Sequence, residues 1–96
     1  MRNRFIVAYD ISDAKRLRRT FKKMNGFGEP LQYSVFACDL SRKERVLLEE
    51  ALTEIINLRE DRVLIIDTGP LGGRSGGALK TLGRQLVPAA RDVTVV

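Results

Sequence analysis

The chain contains no histidine and only one cysteine, Cys38. The absence of histidine excludes the commonest general base, the commonest zinc ligand and every Ser-His or Cys-His catalytic pair. A single cysteine excludes an internal disulfide and a cysteine-based zinc site, and it predicts a reducing, cytoplasmic setting. Any catalysis must therefore depend on carboxylates, Tyr, Lys, Arg or a metal ion held by oxygen atoms, for which Mg²⁺ or Mn²⁺ is the natural choice.

The sequence also lacks a long hydrophobic segment near its beginning. The apolar run from Phe5 to Ala8 follows charged Arg2 and Arg4, and it is too short for a signal peptide or a membrane span. We therefore expect no targeting segment and no membrane association. A length of 96 residues, with 44% hydrophobic and 30% charged residues, predicts one ordered domain over residues 1–96.

Basic residues outnumber acidic ones, 17 to 12, which gives a formal net charge of +5 and a pI near 9.9. Such a surplus favours polyanionic partners when the cations are clustered. Six of them fall within nine residues, at Lys15, Arg16, Arg18, Arg19, Lys22 and Lys23. Uncompensated cations on one helix repel each other, so this cluster favours a surface that binds the phosphates of RNA or DNA over a merely solvated face.

The first half of the chain predicts a strand, a helix and two further strands. Residues 5–11 are apolar on both alternating faces until Asp10 interrupts them, as in a central strand. Ser12 is expected to be the N-cap, with Asp13 in the first turn, of a helix that ends near Asn25. Residues 31–40 favour a short strand near 31–32 that turns into a longer strand over 34–40.

The second half predicts a helix, a strand and C-terminal β segments. Ser41 and Glu44 match a capping box that begins a helix ending near Leu58. Residues 62–67 read as a strand apolar on both faces, closed by Thr68-Gly69-Pro70. Residues 69–77 contain five of the eight glycines, but no Lys-Ser/Thr follows them as in a phosphate-binding loop, so we predict a flexible glycine-rich loop. Residues 79–96 are expected to form β segments, over 79–86 and 93–96, at a dimer interface.

This order of elements predicts an α/β (α+β) domain, a ferredoxin-like βαββαβ sandwich with an additional C-terminal β-strand. That arrangement places both helices on one face of its sheet. The first and fourth strands, over residues 5–11 and 62–67, are nevertheless apolar on both faces. We therefore expect a second copy of the chain to cover the other face. The domain is therefore predicted to be a homodimer that associates through the sheet.

Asp10 is the strongest candidate for a metal ligand. It shares a strand face with Ile6 and Ala8, and a charge on such an apolar face is costly without a partner. Its carboxylate either caps the following helix or binds a divalent cation, and a twofold axis would bring two copies of it together. Asp39 and Asp67 also lie near strand ends and are weaker candidates.

Three aromatic residues, Tyr9, Tyr33 and Phe36, fall in or beside the predicted strands. On the sheet of an RNA-recognition module such rings would stack on bases. The Lys/Arg-Gly-Phe/Tyr signature of that module is missing, so packing in the core or at an interface is favoured.

Several segments together resemble the CRISPR-associated Cas2 family, small proteins of spacer acquisition. The matching segments are Phe5 to Asp10 with its Tyr-Asp-Ile-Ser-Asp ending, the basic run 15–19, Gly26-Phe27-Gly28 and residues 31–41, with Asp61-Arg62-Val63 opening the next strand. Only the glycine-rich loop and the C-terminus match loosely. The resemblance covers most of the chain in order.

The resemblance implies a ferredoxin-like homodimer in which C-terminal strands complete the sheets across the interface. It implies that Asp10 of each protomer meets its symmetry mate around a divalent cation, and that Phe36 lies in the active or interface region. It singles out Tyr9, Asp10 and Phe36 as catalytic residues and the basic residues of the first helix, Arg16 and Arg19 above all, as nucleic-acid contacts. Leu17 and Pro30 stand where some relatives have arginine.

Two functions are compatible with that resemblance. In the first, the dimer is a metal-dependent endonuclease acting in antiviral defence, with Asp10 holding Mg²⁺ or Mn²⁺. In the second, it is a non-catalytic DNA-binding scaffold that bridges the CRISPR integrase. A generic RNA-recognition module is a more remote alternative.

Overall fold

The computed structural model of the chain describes residues 1–72 and 80–84. Four strands and two helices follow each other as β1 (Asn3–Asp10), α1 (Ala14–Met24), β2 (Glu29–Gln32), β3 (Val35–Leu40), α2 (Arg42–Ile55) and β4 (Arg62–Pro70). The strands form one antiparallel sheet in the order β2-β3-β1-β4, so β1 lies at its centre between β3 and β4. This order of elements and strands is ferredoxin-like, and it confirms the predicted fold.

The helix ends follow from local hydrogen bonds. The predicted capping box is confirmed, because the Glu44 backbone N–H donates to Ser41 Oγ at 3.1 Å and the Ser41 N–H donates to Glu44 Oε1 at 2.8 Å. At α1, however, the N-cap is Asp13 rather than Ser12, because the Arg16 N–H donates to Asp13 Oδ2 at 2.9 Å. Ser12 Oγ instead accepts from Arg16 Nη2 at 3.3 Å, so α1 begins one residue later than predicted.

Helix α2 ends at Ile55, three residues before the predicted end near Leu58. The Asn57 side-chain oxygen accepts the backbone N–H groups of Arg59 and Glu60, at 2.9 Å and 3.1 Å. An asparagine side chain that bonds the following N–H groups competes with the helical hydrogen bonds and starts a turn. The helix therefore stops before Asn57.

Strand β4 extends through Thr68, Gly69 and Pro70, which the sequence suggested would end it. Thr68 Oγ1 donates to the Arg4 carbonyl oxygen at 2.7 Å, and Gly69 adopts a φ of +100° that a side chain would disfavour. With these contacts the strand continues beyond the register shift in its pairing with β1, which lies between Asn3 and Phe5. The predicted loop over 69–77 thus has its first two residues in a strand, and Leu71 and Gly72 form a turn.

The predicted C-terminal β segments fall mostly outside the described residues. Within 80–84 the backbone forms no strand. Residues 73–79 and 85–96, which include the predicted segment over 93–96, lie outside the described part of the chain. No described helix is long and apolar enough to cross a membrane.

The hydrophobic core lies between the two helices and one face of the sheet. Its fully buried side chains include Val7, Met24, Phe36 and Leu48. Phe36 also meets the half-buried Phe21 of α1 edge to face, with ring centroids 5.4 Å apart. Burial of such side chains supplies most of the favourable free energy of folding.

The other face of the sheet is covered by no described helix, and we call it the open face. By strand alternation and register it carries Arg4, Ile6, Ala8 and Asp10 of β1, Val35, Ala37 and Asp39 of β3, and Arg62, Leu64 and Ile66 of β4. Leu64 and Ile66 keep 51% and 50% of their surface exposed. The expectation that the first and fourth strands, β1 and β4, are apolar on both faces is confirmed.

Candidate metal ligand and nucleic-acid interface

Asp10 lies at the last position of β1, on the open face, with its side chain exposed. Its carboxylate has no hydrogen bond or ion pair with any described residue. It does not cap α1, because Asp13 fills that position. Of the two roles that the sequence left open for Asp10, the structure removes the capping one.

Arg62 is the cross-strand partner of Asp10, since the β1–β4 register pairs these two residues directly. Its side chain is exposed, and it too makes no ion pair within the described part of the chain. The pair places a guanidinium beside a carboxylate at one end of the open face. Sequence reasoning missed Arg62, because the only signal is a strand pairing across 52 residues of chain that no local pattern reveals.

A buried carboxylate holds the segment that follows Asp10. Asp61 accepts the Ser12 backbone N–H at 3.0 Å and the Asn57 backbone N–H at 2.8 Å. Arg16 completes its coordination, with Nε donating to Oδ2 at 2.8 Å and Nη2 donating to Oδ1 at 3.1 Å. The hydrogen bond from Arg16 above all, and those from the two backbone groups, hold the pKa of Asp61 well below its usual range.

Arg16 therefore differs from the other five basic residues of the cluster. Its guanidinium is committed to Asp61 and also reaches Glu60 Oε1 at 3.3 Å. Only 22% of its side chain is exposed. The geometry assigns Arg16 to the support of the Asp10 segment, and it leaves little of the guanidinium for a phosphate.

The remaining five cations of α1 are exposed, and none forms an ion pair with a described residue. Lys15, Arg18, Arg19 and Lys22 have the i, i+3, i+4, i+7 spacing of one helix face and line one shallow depression, which we call the basic face. Lys23 lies on an adjoining side of the helix. The predicted clustering of charge on the solvent side of α1 is confirmed.

Tyr9 and Phe36 lie on the opposite side of the sheet from Asp10. They are 6% and 0% exposed and stack on each other with ring centroids 6.3 Å apart. Tyr9 Oη donates to the Tyr33 carbonyl oxygen at 2.6 Å, and burial raises the pKa of Tyr9 above its ordinary value of 10.0. Both residues are core side chains beneath β1 and β3, so neither reaches a substrate at the open face.

Asp39 and Asp67 lie at the other end of the sheet. Asp39 pairs with Arg4 through two hydrogen bonds of 2.8 Å and 3.2 Å, which lower its pKa. Asp67 accepts the Asn3 side-chain amide at 3.0 Å and the Gly69 N–H at 2.9 Å. Neither joins Asp10, and the described residues contain no group of three or more His, Cys, Asp or Glu side chains that could hold a metal ion. At this end of the open face the described residues thus offer a divalent cation one free carboxylate, that of Asp10, which fits a metal site only if a second chain adds its own.

Comparison with known proteins adds to this geometry. Residues 3–70, which span β1 to the end of β4, match the family model of CRISPR associated protein Cas2. The chain belongs to the Cas2 family. It is 42% identical over 96 residues to the CRISPR-associated endoribonuclease Cas2 of Geobacter sulfurreducens, with 100% of both chains covered. It is also 42% identical over 87 residues to the CRISPR-associated endoribonuclease Cas2 1 of Rhodospirillum rubrum, covering 84% of this chain and 85% of that one.

Solved structures agree with the Cas2 assignment. The crystal structure of Streptococcus pyogenes Cas2 at pH 6.5 superposes with a TM-score of 0.72 at 30% identity, covering 83% of this chain and 99% of that one. A hypothetical protein from Thermus thermophilus superposes with a TM-score of 0.76 at 26% identity, covering 91% and 98%. The ferredoxin-like fold of this Cas2 chain is therefore shared with experimental structures.

The residues that the Cas2 resemblance singled out occupy three separate places. Asp10 lies on the open face, Tyr9 and Phe36 lie in the core beneath it, and Arg19 lies on the basic face of α1. Arg16 lies between these places, bonded to Asp61. Within the described part of the chain, Arg62 is paired directly with Asp10, and the predicted phosphate contacts lie on the far side of α1.

Proposed function

We propose that this Cas2 chain acts in CRISPR spacer acquisition as a homodimeric, metal-dependent endonuclease that hydrolyses phosphodiesters of RNA or DNA. The observation that carries the proposal is the exposed, unpaired carboxylate of Asp10 at the edge of an apolar sheet face, beside Arg62. The name endoribonuclease, borne by the relatives from Geobacter sulfurreducens and Rhodospirillum rubrum, supports it.

The open face supports the homodimer. Its centre is apolar, with Ile6 and Ala8 beside the half-exposed Leu64 and Ile66, and its charged residues lie at the two ends. A contiguous apolar surface of this kind marks a protein interface, and pairing about a twofold axis would remove it from water on both copies at once. Since Asp10 lies at the edge of this face, the same axis would bring the Asp10 carboxylates of the two copies together.

The donor set at Asp10 suits Mg²⁺ or Mn²⁺, because carboxylate oxygens are the ligands that hard cations prefer. When bound by the two Asp10 carboxylates, such an ion supplies a polarised phosphate oxygen and a more acidic water molecule. Arg62 is placed to stabilise negative charge on the phosphate that is cleaved. The basic face of α1 binds phosphates farther along the same nucleic acid.

A second function, a non-catalytic DNA-binding scaffold that bridges the CRISPR integrase, is favoured by the position of the basic face. Lys15, Arg18, Arg19 and Lys22 lie on the outer side of α1, whereas Asp10 lies on the opposite side of the sheet. This surface can bind a duplex whether or not Asp10 acts in catalysis. A generic RNA-recognition module is less well supported, because two of its three candidate stacking rings, Tyr9 and Phe36, are buried.

The deciding experiment compares the wild-type protein with Asp10→Asn in a cleavage assay on labelled RNA and DNA, with Mg²⁺, with Mn²⁺ and with a chelator. We expect cleavage that requires the metal and that falls by at least about 100-fold in the variant. Asp67→Asn is the matched control, because it makes the same change at the other end of the sheet. Equal cleavage by wild type and Asp10→Asn would refute the hydrolytic role, and spacer acquisition by cells carrying Asp10→Asn would favour the scaffold.

A further inference from the structure

Tyr33 is the one strand-associated aromatic residue that the core does not use. It lies in the two-residue turn between β2 and β3, and 72% of its surface is exposed. Tyr9 and Phe36, which the sequence grouped with it, are buried. The structure therefore separates a ring that reaches solvent from two that hold the fold together.

The exposed ring lies at the same end of the sheet as Asp10. The β1–β3 ladder ends with the pair Ala8 and Val35, and the Tyr9 backbone N–H continues it by donating to the Ser34 carbonyl oxygen at 3.0 Å. Tyr33 itself lies in the turn, beyond the last pair of this ladder. Its ring contacts α1, whereas Asp10 lies on the open face, so the two residues share one end of the sheet but not one face.

Tyr33 is held in place before any ligand binds. Its carbonyl oxygen accepts a 2.6 Å hydrogen bond from the buried Tyr9 hydroxyl, which anchors the turn to the core. Its ring rests against Phe21 of α1, with centroids 5.6 Å apart and planes inclined by 48°. A side chain that is already ordered loses little conformational entropy on binding. Its contacts therefore contribute more to the affinity than those of a mobile side chain would.

Phe21, on which this ring rests, lies next to the basic face. Phe21 lies on α1 next to Lys22 and three residues after Arg18, both members of the basic face. A nucleic-acid strand whose phosphates follow these cations passes close to the turn that carries Tyr33. The Tyr33 side chain makes no hydrogen bond with any described residue, and most of its ring surface is free for a ligand.

We propose that Tyr33 is a stacking platform for an unpaired nucleobase, placed next to the basic face of α1, and this inference rests on the nucleic-acid binding proposed above. Stacking on an aromatic ring is open to every base, because each has a flat π face. In a perfect duplex both faces of each internal base are already covered by its neighbours, so only a single strand, a bulge or a frayed end offers one. Tyr33 thus gives the protein a preference for nucleic acid whose unpaired bases lie next to the phosphates bound by the basic face.

The test measures the binding of one RNA sequence as a single strand and as a perfect duplex with no frayed or overhanging ends. The buffer contains a chelator that prevents cleavage. Wild-type protein is compared with Tyr33→Ala and Tyr33→Phe by fluorescence anisotropy. We expect Tyr33→Ala to weaken single-strand binding by about 5- to 150-fold, the equivalent of one stacked base, and Tyr33→Phe to keep it. Duplex affinity and the slope of affinity against salt should stay unchanged, because no charge is removed.

A second readout uses intrinsic fluorescence. The chain has two tyrosines and no tryptophan, so stacking on Tyr33 should quench part of the tyrosine emission in wild type but not in Tyr33→Phe. Equal single-strand affinities for wild type and Tyr33→Ala would overturn the inference while leaving the nuclease proposal intact. An equal loss for single strand and duplex, or a changed oligomeric mass, would also overturn it, by assigning Tyr33 to the fold or to an interface.

The two proposals fail separately. Absence of cleavage by the wild-type protein, together with single-strand binding that still depends on Tyr33, would remove the nuclease activity and support the stacking platform. Absence of any nucleic-acid binding by the wild-type protein would overturn both.

Discussion

Arg16 and Asp61 form a two-point ion pair, with Nε to Oδ2 at 2.8 Å and Nη2 to Oδ1 at 3.1 Å, across 45 residues of chain. The Asp61 side chain has no solvent-exposed surface, and it also accepts the Ser12 and Asn57 backbone N–H groups. One carboxylate thus joins the segment after Asp10 to the segment before β4. It makes Arg16 a positioning residue for both strands that carry the candidate site.

This pair predicts a pH-dependent loss of stability in Asp61→Asn. In the folded protein the pKa of Asp61 lies below its ordinary value of 3.8, so its stabilising contribution is complete above about pH 5 and is lost as the pH falls below 3.8 towards the folded pKa. We expect the variant to be less stable than wild type near pH 7, with a difference that shrinks below pH 4. Urea unfolding at a series of pH values measures this difference, and a difference that stays the same below pH 4 would contradict the prediction.

A glycine substitution tests the packing between β3 and the segment before β2. A Cβ atom at Gly28 would collide with the Ala37 carbonyl oxygen and lie 2.5 Å from Cys38 Sγ, whereas a Cβ atom at Gly26 would meet only the Lys23 carbonyl oxygen, at 3.3 Å. We expect Gly28→Ala to lower the free energy of unfolding by about 1–3 kcal/mol, as overpacked core positions do. Gly26→Ala should cost clearly less in the same chemical denaturation. Equal effects would contradict the close approach at Gly28.

Removal of two arginines from the basic face should weaken duplex binding through charge. Arg18→Ala combined with Arg19→Ala is expected to reduce the slope of log affinity against log salt by about 2, since each lost phosphate contact removes about 0.9. The matched control combines Arg42→Ala with Lys43→Ala, which removes the same charge from the exposed first turn of α2. Anisotropy titrations over a range of salt concentrations measure both, and identical slopes would remove α1 from the interface.

An acidic substitution on the open face should separate the proposed dimer. Burial of an unpaired carboxylate costs several kcal/mol, so Ile66→Asp is expected to raise the dimer dissociation constant by at least about 100-fold. Leu58→Asp introduces the same group at a position that is 74% exposed, and it should keep the wild-type mass. Sedimentation at micromolar concentration compares them. A wild-type monomer, or an unchanged dimer in Ile66→Asp, would contradict assembly through this face.

The single cysteine should be unreactive in the folded protein. Cys38 is completely buried, and burial raises the pKa of its thiol to about 12, so the nucleophilic thiolate is scarce at neutral pH. We expect a disulfide reagent to label the chain slowly in buffer and fully in denaturant. A cysteine placed at exposed Leu58 is the control for reagent access and should react at once. Rapid labelling of native wild-type protein would show that β3 opens readily.

Much of the fold was predictable because the sequence patterns that indicate it span only a few residues. The capping box of Ser41 and Glu44 spans four residues, and it placed the start of α2 correctly. Alternation of side chains located β1 and β3 within two residues at either end, and the turn before β3 lies between the two strands predicted for residues 31–40. The predicted N-cap was wrong because tertiary contacts competed: the Ser12 hydroxyl bonds to Asp61 and Arg16 instead of capping α1.

The candidate site was likewise predictable only where its features follow from composition or from a local pattern. Composition and periodicity are enough to establish that catalysis cannot use histidine, that Asp10 ends an apolar strand and that six cations share one helix, because these properties need no partner elsewhere in the chain. The bond between Arg16 and Asp61, the pairing of Arg62 with Asp10, and the burial of Phe36 while Tyr33 is exposed are visible only in the folded chain. These facts depend on strand register and on contacts between residues far apart in the chain, and such contacts form only when the whole sheet closes over its core.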